Sequence, residues 1–254
     1  MNIKEIFNKL FSKSNNIDKQ VDVNMLVTKY TTANQTDNIY GFQNKYLNQE
    51  QVLYKIYGES NKNLNNKLKL IIITDTHNML KSDDLINIIN EHPDYDACFL
   101  LGDHSARDVE IVLDYIDKSK IYALLGNHDY NYIQEFNLFN LNGQVININD
   151  VMIAGIEGSF KYKPSDFPSY TQEDSVKFLN SLPRCDILFS HDGPFRNSSS
   201  ASPAHQGLFG ITYYLFKNNV KYNVHGHLHE PYEKILLNGT KEISMYMVNY
   251  IELD

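Results

Sequence analysis

Tryptophan is absent from the 254 residues, and cysteine occurs only twice, at Cys98 and Cys185. Each cysteine sits in or beside an apolar run and no CxxC is present. That excludes a disulfide framework and a thiolate zinc site, and it suits a reducing cytosol. No apolar run approaches the ~18 residues of a membrane-spanning helix, so stable membrane insertion is not expected. The first residues, MNIKEIFNKLFSK, have scattered charges and no apolar h-region, which predicts no signal peptide and a cytoplasmic chain. Basic residues are also in deficit: 23 Lys and Arg face 31 Asp and Glu, for a formal charge of −8. Binding a long nucleic-acid backbone needs a basic surface, so long nucleic acid is not an expected partner. What remains is an ordinary globular composition, 42% hydrophobic and 21% charged. A chain of this length buries roughly three quarters of its unfolded surface in one large domain, alone or with a small extension.

The organisation predicts two parts, an N-terminal extension over residues 1–66 and a catalytic domain over residues 67–254. In the extension, Ile3, Ile6, Phe7, Leu10 and Phe11 form the stripe of an amphipathic helix. Such a helix packs on its own domain, on a partner or a second copy of the chain, or on a membrane surface. Residues 47–57 read as a short helix and 61–67 as a polar linker. From Lys67 a rhythm begins: strands over 67–74, 96–101 and 121–125 alternate with helices over 82–90, capped by Ser82, and 107–117. That alternation predicts βαβ units and a largely parallel sheet. Residues 144–156 read as a hairpin turning at Asn149-Asp150. Then come a helix at 171–182 capped by Thr171, a strand at 186–190, a helix at 207–217 and a strand at 220–226. Two or three strands follow over 231–254.

The chemistry-bearing residues fall on this rhythm. Asp75 and His77 follow the first strand, Gly102-Asp103 the second, and Gly126-Asn127-His128-Asp129 the third. His191 and Gly226-His227-Leu228-His229 follow two later strands. Ligands of open α/β sheets bind at that carboxyl edge. Carboxylate oxygen and imidazole nitrogen suit hard-to-borderline divalent metals. Seven such ligands are too many for one tetrahedral ion and about right for two. Two ions roughly 3.5–4 Å apart clamp a phosphoryl group and acidify a bridging water for in-line attack.

The five blocks in order, separated by 28, 24, 64 and 36 residues from Asp75 through Asp103, Asn127 and His191 to His227, resemble the calcineurin-like metallophosphoesterase superfamily. The resemblance extends from Lys67 to the C-terminus and implies an α/β fold, a four-layer α-β-β-α sandwich. It implies that Asp75, His77 and His229 hold one metal and Asn127, His191 and His227 the other, with Asp103 bridging. His128 would face the phosphoryl oxygens or leaving group as charge stabiliser or general acid, and Asp129 would orient it by a hydrogen bond. The metals are expected to be manganese, with iron, zinc or nickel as alternatives. The size and spacing resemble small bacterial-type members, which implies a phosphodiesterase on a small phosphoester or nucleotide. A phosphomonoesterase and a non-catalytic metal-binding scaffold are the alternatives. The protein-phosphatase branch has Asp-Arg-Gly where this chain has Ala106-Arg107-Asp108, and Glu where it has Asp129, so the chain departs from that branch.

Three further residues are candidates for substrate contact. Arg107 fits a bidentate phosphate contact and equally a helix-surface pairing with Glu110 or Asp114. Arg196 and His205 lie in the long polar stretch 193–207, placed as a lid or specificity loop beside His191. Gly158 to Tyr162 follows the hairpin and is a weaker candidate to reach the site. His225 reads as a support for the last block and His92 as a surface residue. Homo-oligomerisation is expected, if anywhere, through residues 1–66.

Overall fold

The computed structural model describes residues 50–51, 53–60, 63–164, 166–195 and 202–254. The amphipathic stripe of residues 3–11, with most of the 1–66 extension, and Arg196 therefore lie outside the described residues. Among the described residues no helix is long and apolar enough to cross a membrane.

The first half alternates β1 (Leu68–Thr74), α1 (Ser82–Glu91), β2 (Ala97–Leu100), α2 (Ala106–Tyr115), β3 (Ile121–Ala123), a one-turn α3 (Tyr132–Glu135) and β4 (Phe139–Asn140). The second half runs β5 (Val145–Ile148), β6 (Val151–Ile156), β7 (Ser159–Phe160), β8 (Ser169–Tyr170), α4 (Gln172–Asn180), β9 (Ile187–Ser190), α5 (Phe209–Asn218) and β10 (Tyr222–His225). It closes with β11 (Tyr232–Ile235), β12 (Lys241–Ser244) and β13 (Met247–Leu253). One sheet has the order β13-β1-β2-β3-β4 and the other β11-β12-β10-β9-β6-β5. The βαβ rhythm gives the parallel pairs β1·β2, β2·β3 and β6·β9. The hairpin turns at Asn149 and Asp150, both left-handed at φ 51° and 62°, which aligns β5 and β6 antiparallel with Ile148 opposite Val151.

Alternating side chains build the layers. Leu70 and Ile72 of β1 face the second sheet, where they join Phe99, Phe189, Val224 and Ile243 in a buried cluster. Ile71 and Ile73 face the other way, onto Leu85 of α1 and Val109 and Val112 of α2. The outer face of the second sheet packs Ala154, Ile156 and Leu188 against α4 and α5. The result is the four-layer α-β-β-α order. At its centre Phe99 and Phe189 stack at 4.1 Å between ring centroids, both fully buried. Burying each ring contributes about 1.5–3 kcal/mol.

Some local expectations hold and others change. Ser82 does not cap α1: Lys81 holds the cap position, without a side-chain cap, and Ser82 is already helical. Thr171 does cap α4, accepting from the Asp174 amide. The polar stretch before β1 is strapped down, because Asn65 and Asn66 donate to the Asp150 and Asn149 carbonyls of the hairpin turn. The helical residues around 50–57 also pack inward. Leu53 lies in the same cluster as α4 and α5, so the packed unit starts ahead of Lys67. Lastly, β13 leaves the second sheet and pairs antiparallel with β1 across the sandwich, Leu253 opposite Leu68.

Candidate metal centre

Five strand ends deliver their loops to one rim. Asp75 follows β1, Asp103 follows β2, Asn127 follows β3, His191 follows β9 and His227 follows β10. The loops bend sharply at the rim: Asp75, His77, Asp103, His227 and His229 all have positive φ, between 42° and 68°. Left-handed backbone is costly for side chains with a Cβ and is kept where surrounding contacts fix it. Close approach requires glycine beside them. A Cβ on Gly126 would strike Asp103 Oδ1, and one on Gly226 would strike Thr74 Oγ1 and Asp75 Oδ2.

The acidic and imidazole groups gather in two sets. Donor atoms of Asp75, His77 and His229 lie within 4.8 Å of one another, as do those of Asp103, His191 and His227. Asp103 Oδ2 stands between the sets, 3.5 Å from His77 Nε2 and 3.7 Å from His191 Nε2. Asn127 joins the second set, its Oδ1 3.0 Å from His191 Nε2. His128 is exposed, its ring 5.7 Å from that of His77, and its amide donates to Asp103 Oδ1.

The donor set fits cations. His191 Nδ1 lies 2.7 Å from the Leu101 carbonyl, so Nδ1 donates and Nε2 turns toward Asn127 and Asp103 oxygens. Three acceptors facing one another repel unless a proton or a cation stands between them. Burial pushes the His191 ring down in pKa, but the Asp103 and Asp75 carboxylates and the Leu101 carbonyl outweigh it and hold the ring above its ordinary value. Asp75 Oδ2 accepts from Thr74 Oγ1 and the His227 amide. Its Oδ1 is buried without a hydrogen bond, facing His229 Nε2 at 3.3 Å. His77 Nε2 and His229 Nε2 meet at 3.2 Å. These are orphaned electron pairs of the kind a divalent ion satisfies.

Two expected contacts are replaced. Asp129 does not reach the His128 ring; its carboxylate accepts from the amides of Asp103, His104 and Gly126 at 2.6–2.7 Å. It pins the second loop to the third. Burial and the Asp103 charge push its pKa up to about 7. Arg107 pairs with neither Glu110 nor Asp114. It donates to the Asn78 and Leu80 carbonyls, 3.3 Å each, beside Asp108. The carbonyls of the loop after β1 and the Asp108 carboxylate together hold its guanidinium. His205 does come to the rim, its ring 5.0 Å from and perpendicular to that of His227, where burial and His227 lower its pKa. His225 faces Glu242 Oε1 at 3.2 Å, away from both sets. His92 stacks on Tyr250 at 3.5 Å.

Several supports were not anticipated. Asp108 accepts from the Thr76 hydroxyl and the Asn78 and Leu80 amides, fixing the loop that carries His77. Its signal was the Ser105-x-x-Asp108 capping box opening α2. His104 is buried on Thr76 Oγ1, and burial drives its pKa down to about 4. Asp192 accepts from the Phe160 amide. Tyr246 stacks on His229 at 5.1 Å.

A two-sheet sandwich whose parallel strands end in a shared rim of Asp, Asn and His defines a class of metal-dependent hydrolases. The calcineurin-like phosphoesterase model matches residues 68–231, and the chain belongs to that family. Its members are phosphoesterases that use divalent metal ions. Solved structures share the fold at low identity. The protein TT1561 of Thermus thermophilus has 12% identity and a TM-score of 0.50, with 72% of this chain and 90% of that chain covered. The phosphopantetheinyl hydrolase PptH from Mycobacterium tuberculosis has 13% identity and a TM-score of 0.51, with 73% and 96% covered. No curated protein matched the chain by sequence.

Proposed function

We propose that the rim is a two-cation centre hydrolysing a phosphodiester bond in a small or nucleotide substrate. The observation that carries this is the position of Asp103 Oδ2 between His77 of one set and His191 of the other. Asp75, His77 and His229 would hold one cation and Asn127, His191 and His227 the other, with Asp103 shared. When bound, such a pair supplies Lewis acidity toward a phosphoryl oxygen and a water acidified to neutral pH. Manganese is the proposed metal on its match to the Asp75, Asp103 and Asn127 oxygens; the four imidazoles suit iron, zinc or nickel as the alternatives.

The chain's own residues supply the rest. The left-handed turns at Asp75, Asp103 and His227 aim the donors inward before substrate arrives, so little reorganisation is left for the reaction. Asp129 and Asp108 hold the loops that carry them. His128, exposed beside His77, would meet a phosphoryl oxygen or give a proton to the leaving oxygen. His205 stands on the His227 side and is a candidate to approach the substrate there.

The test is a comparison on metal-stripped protein reloaded with manganese. Faster p-nitrophenol release from bis-p-nitrophenyl phosphate than from p-nitrophenyl phosphate, absent in Asp103→Asn, supports the diesterase. Faster release from the monoester assigns a phosphomonoesterase instead. No release from either, with metal bound, points to a narrow substrate or to a scaffold.

A further inference from the structure

Beside Asn127 the surface carries a shallow, open groove lined by Asn127, Lys161, Tyr162, Lys163 and Phe167. It is too shallow to enclose a ligand, so a substrate would lie across its mouth against the exposed side chains. The groove is built onto the rim rather than hanging beside it. The Gly158 amide donates to the Leu125 carbonyl at 2.7 Å, just ahead of Asn127. The Phe160 amide donates to Asp192 Oδ2, next to His191. The Lys161 amide donates to the Tyr170 carbonyl, joining the wall's two short strands. Both metal-loop anchors therefore fix where the wall stands.

Its chemistry is unusual for this molecule. In a chain of net charge −8, the groove opening on Asn127 carries two exposed lysines, with Lys163 Nζ 5.2 Å above the Tyr162 ring. Tyr130, three residues beyond Asn127, is 84% exposed and meets Phe167 edge-on at 5.7 Å. Exposed aromatic faces stack planar bases in a sequence-tolerant way, and paired ammonium groups hold phosphate as point charges.

Resting on the phosphodiesterase reading above, we propose that this groove selects phosphodiesters that carry a planar base and a second phosphate on the side away from the cations. The base lies on the Tyr130–Phe167 platform and the second phosphate lies between Lys161 and Lys163. A 5′-phosphorylated dinucleotide has this form. One water adds across the diester: its oxygen bonds to phosphorus, the P–O bond to the leaving group breaks, and a proton goes to the departing oxygen. The second phosphate is untouched.

The experiment compares the adenine dinucleotide pApA with ApA, which lacks the terminal phosphate, on manganese-loaded protein. The wild type is expected to prefer pApA by tenfold or more in kcat/KM, through KM. The double variant Lys161→Ala/Lys163→Ala is expected to lose that preference, and Tyr130→Ala to raise KM for both. Equal use of the two dinucleotides by the wild type, or a preference that survives in the double variant, overturns the proposal. If no ester, bis-p-nitrophenyl phosphate included, is hydrolysed, the diesterase reading fails. Calorimetric binding then decides the groove: pApA at least tenfold tighter than ApA, with the gap closed in the double variant, supports it, and equal affinities overturn it.

Discussion

Asp103 is the residue on which both sets of donors depend. Its Oδ2 faces a histidine of each set, while its Oδ1 takes the His128 amide. Asp103→Asn removes the shared charge, so metal content by mass spectrometry is expected to fall and turnover to drop by at least about a hundredfold. His128→Ala is different. It is expected to leave metal content unchanged and to cost about 10²–10⁴ in kcat, the usual worth of a positioned acid or base; a fall in metal content would show that His128 is a ligand. At this scale the sequence was legible wherever a side chain works with other side chains. The ligand types and their spacing drew Asp75, His77, His191, His227 and His229 toward one place. It was illegible where a side chain works on backbone. Asp129 and Arg107 spend themselves on amides and carbonyls of neighbouring loops, and those partners leave no mark in residue identity.

The elements that matter are the five strand ends and the turns that follow them. Strands were read from short apolar runs and alternation, and β1, β2, β9 and β10 fall where those patterns place them. Helix starts were less certain, because propensity does not say which of two neighbouring residues stays extended; Lys81 does, so Ser82 is helical. The turns carry the tightest constraint. Gly226 lies against Thr74 and Asp75, where a Cβ has no room. Gly226→Ala is expected to destabilise by about 1–3 kcal/mol, as overpacking does, and to lower metal content by shifting Asp75. Thermal unfolding and metal analysis check both; a variant with unchanged metal content would show that the last loop can move without disturbing the rim.

At the scale of the whole molecule, two sheets back to back hold the rim rigid from below. Phe99 and Phe189 are in contact between them, one from each sheet. Phe189→Ala is expected to cost about 3–5 kcal/mol by denaturant unfolding, far more than any change on the exposed wall at Lys161 or Lys163. The two-sheet order was legible only through the resemblance of the motifs. Local pattern gives strands and their faces, but it does not say that β13 crosses to pair with β1 while β12 stays on β10; long-range pairing depends on how complete layers pack. The central claim is that one rim holds two cations with Asp103 between them. The direct measurement is the number of manganese ions bound per chain by calorimetry on metal-stripped protein, in the wild type and in Asp103→Asn. The account predicts two per wild-type chain, with both sites weakened together in the variant. A single site in the wild type, or a variant that loses one ion and keeps the other at full affinity, would contradict it.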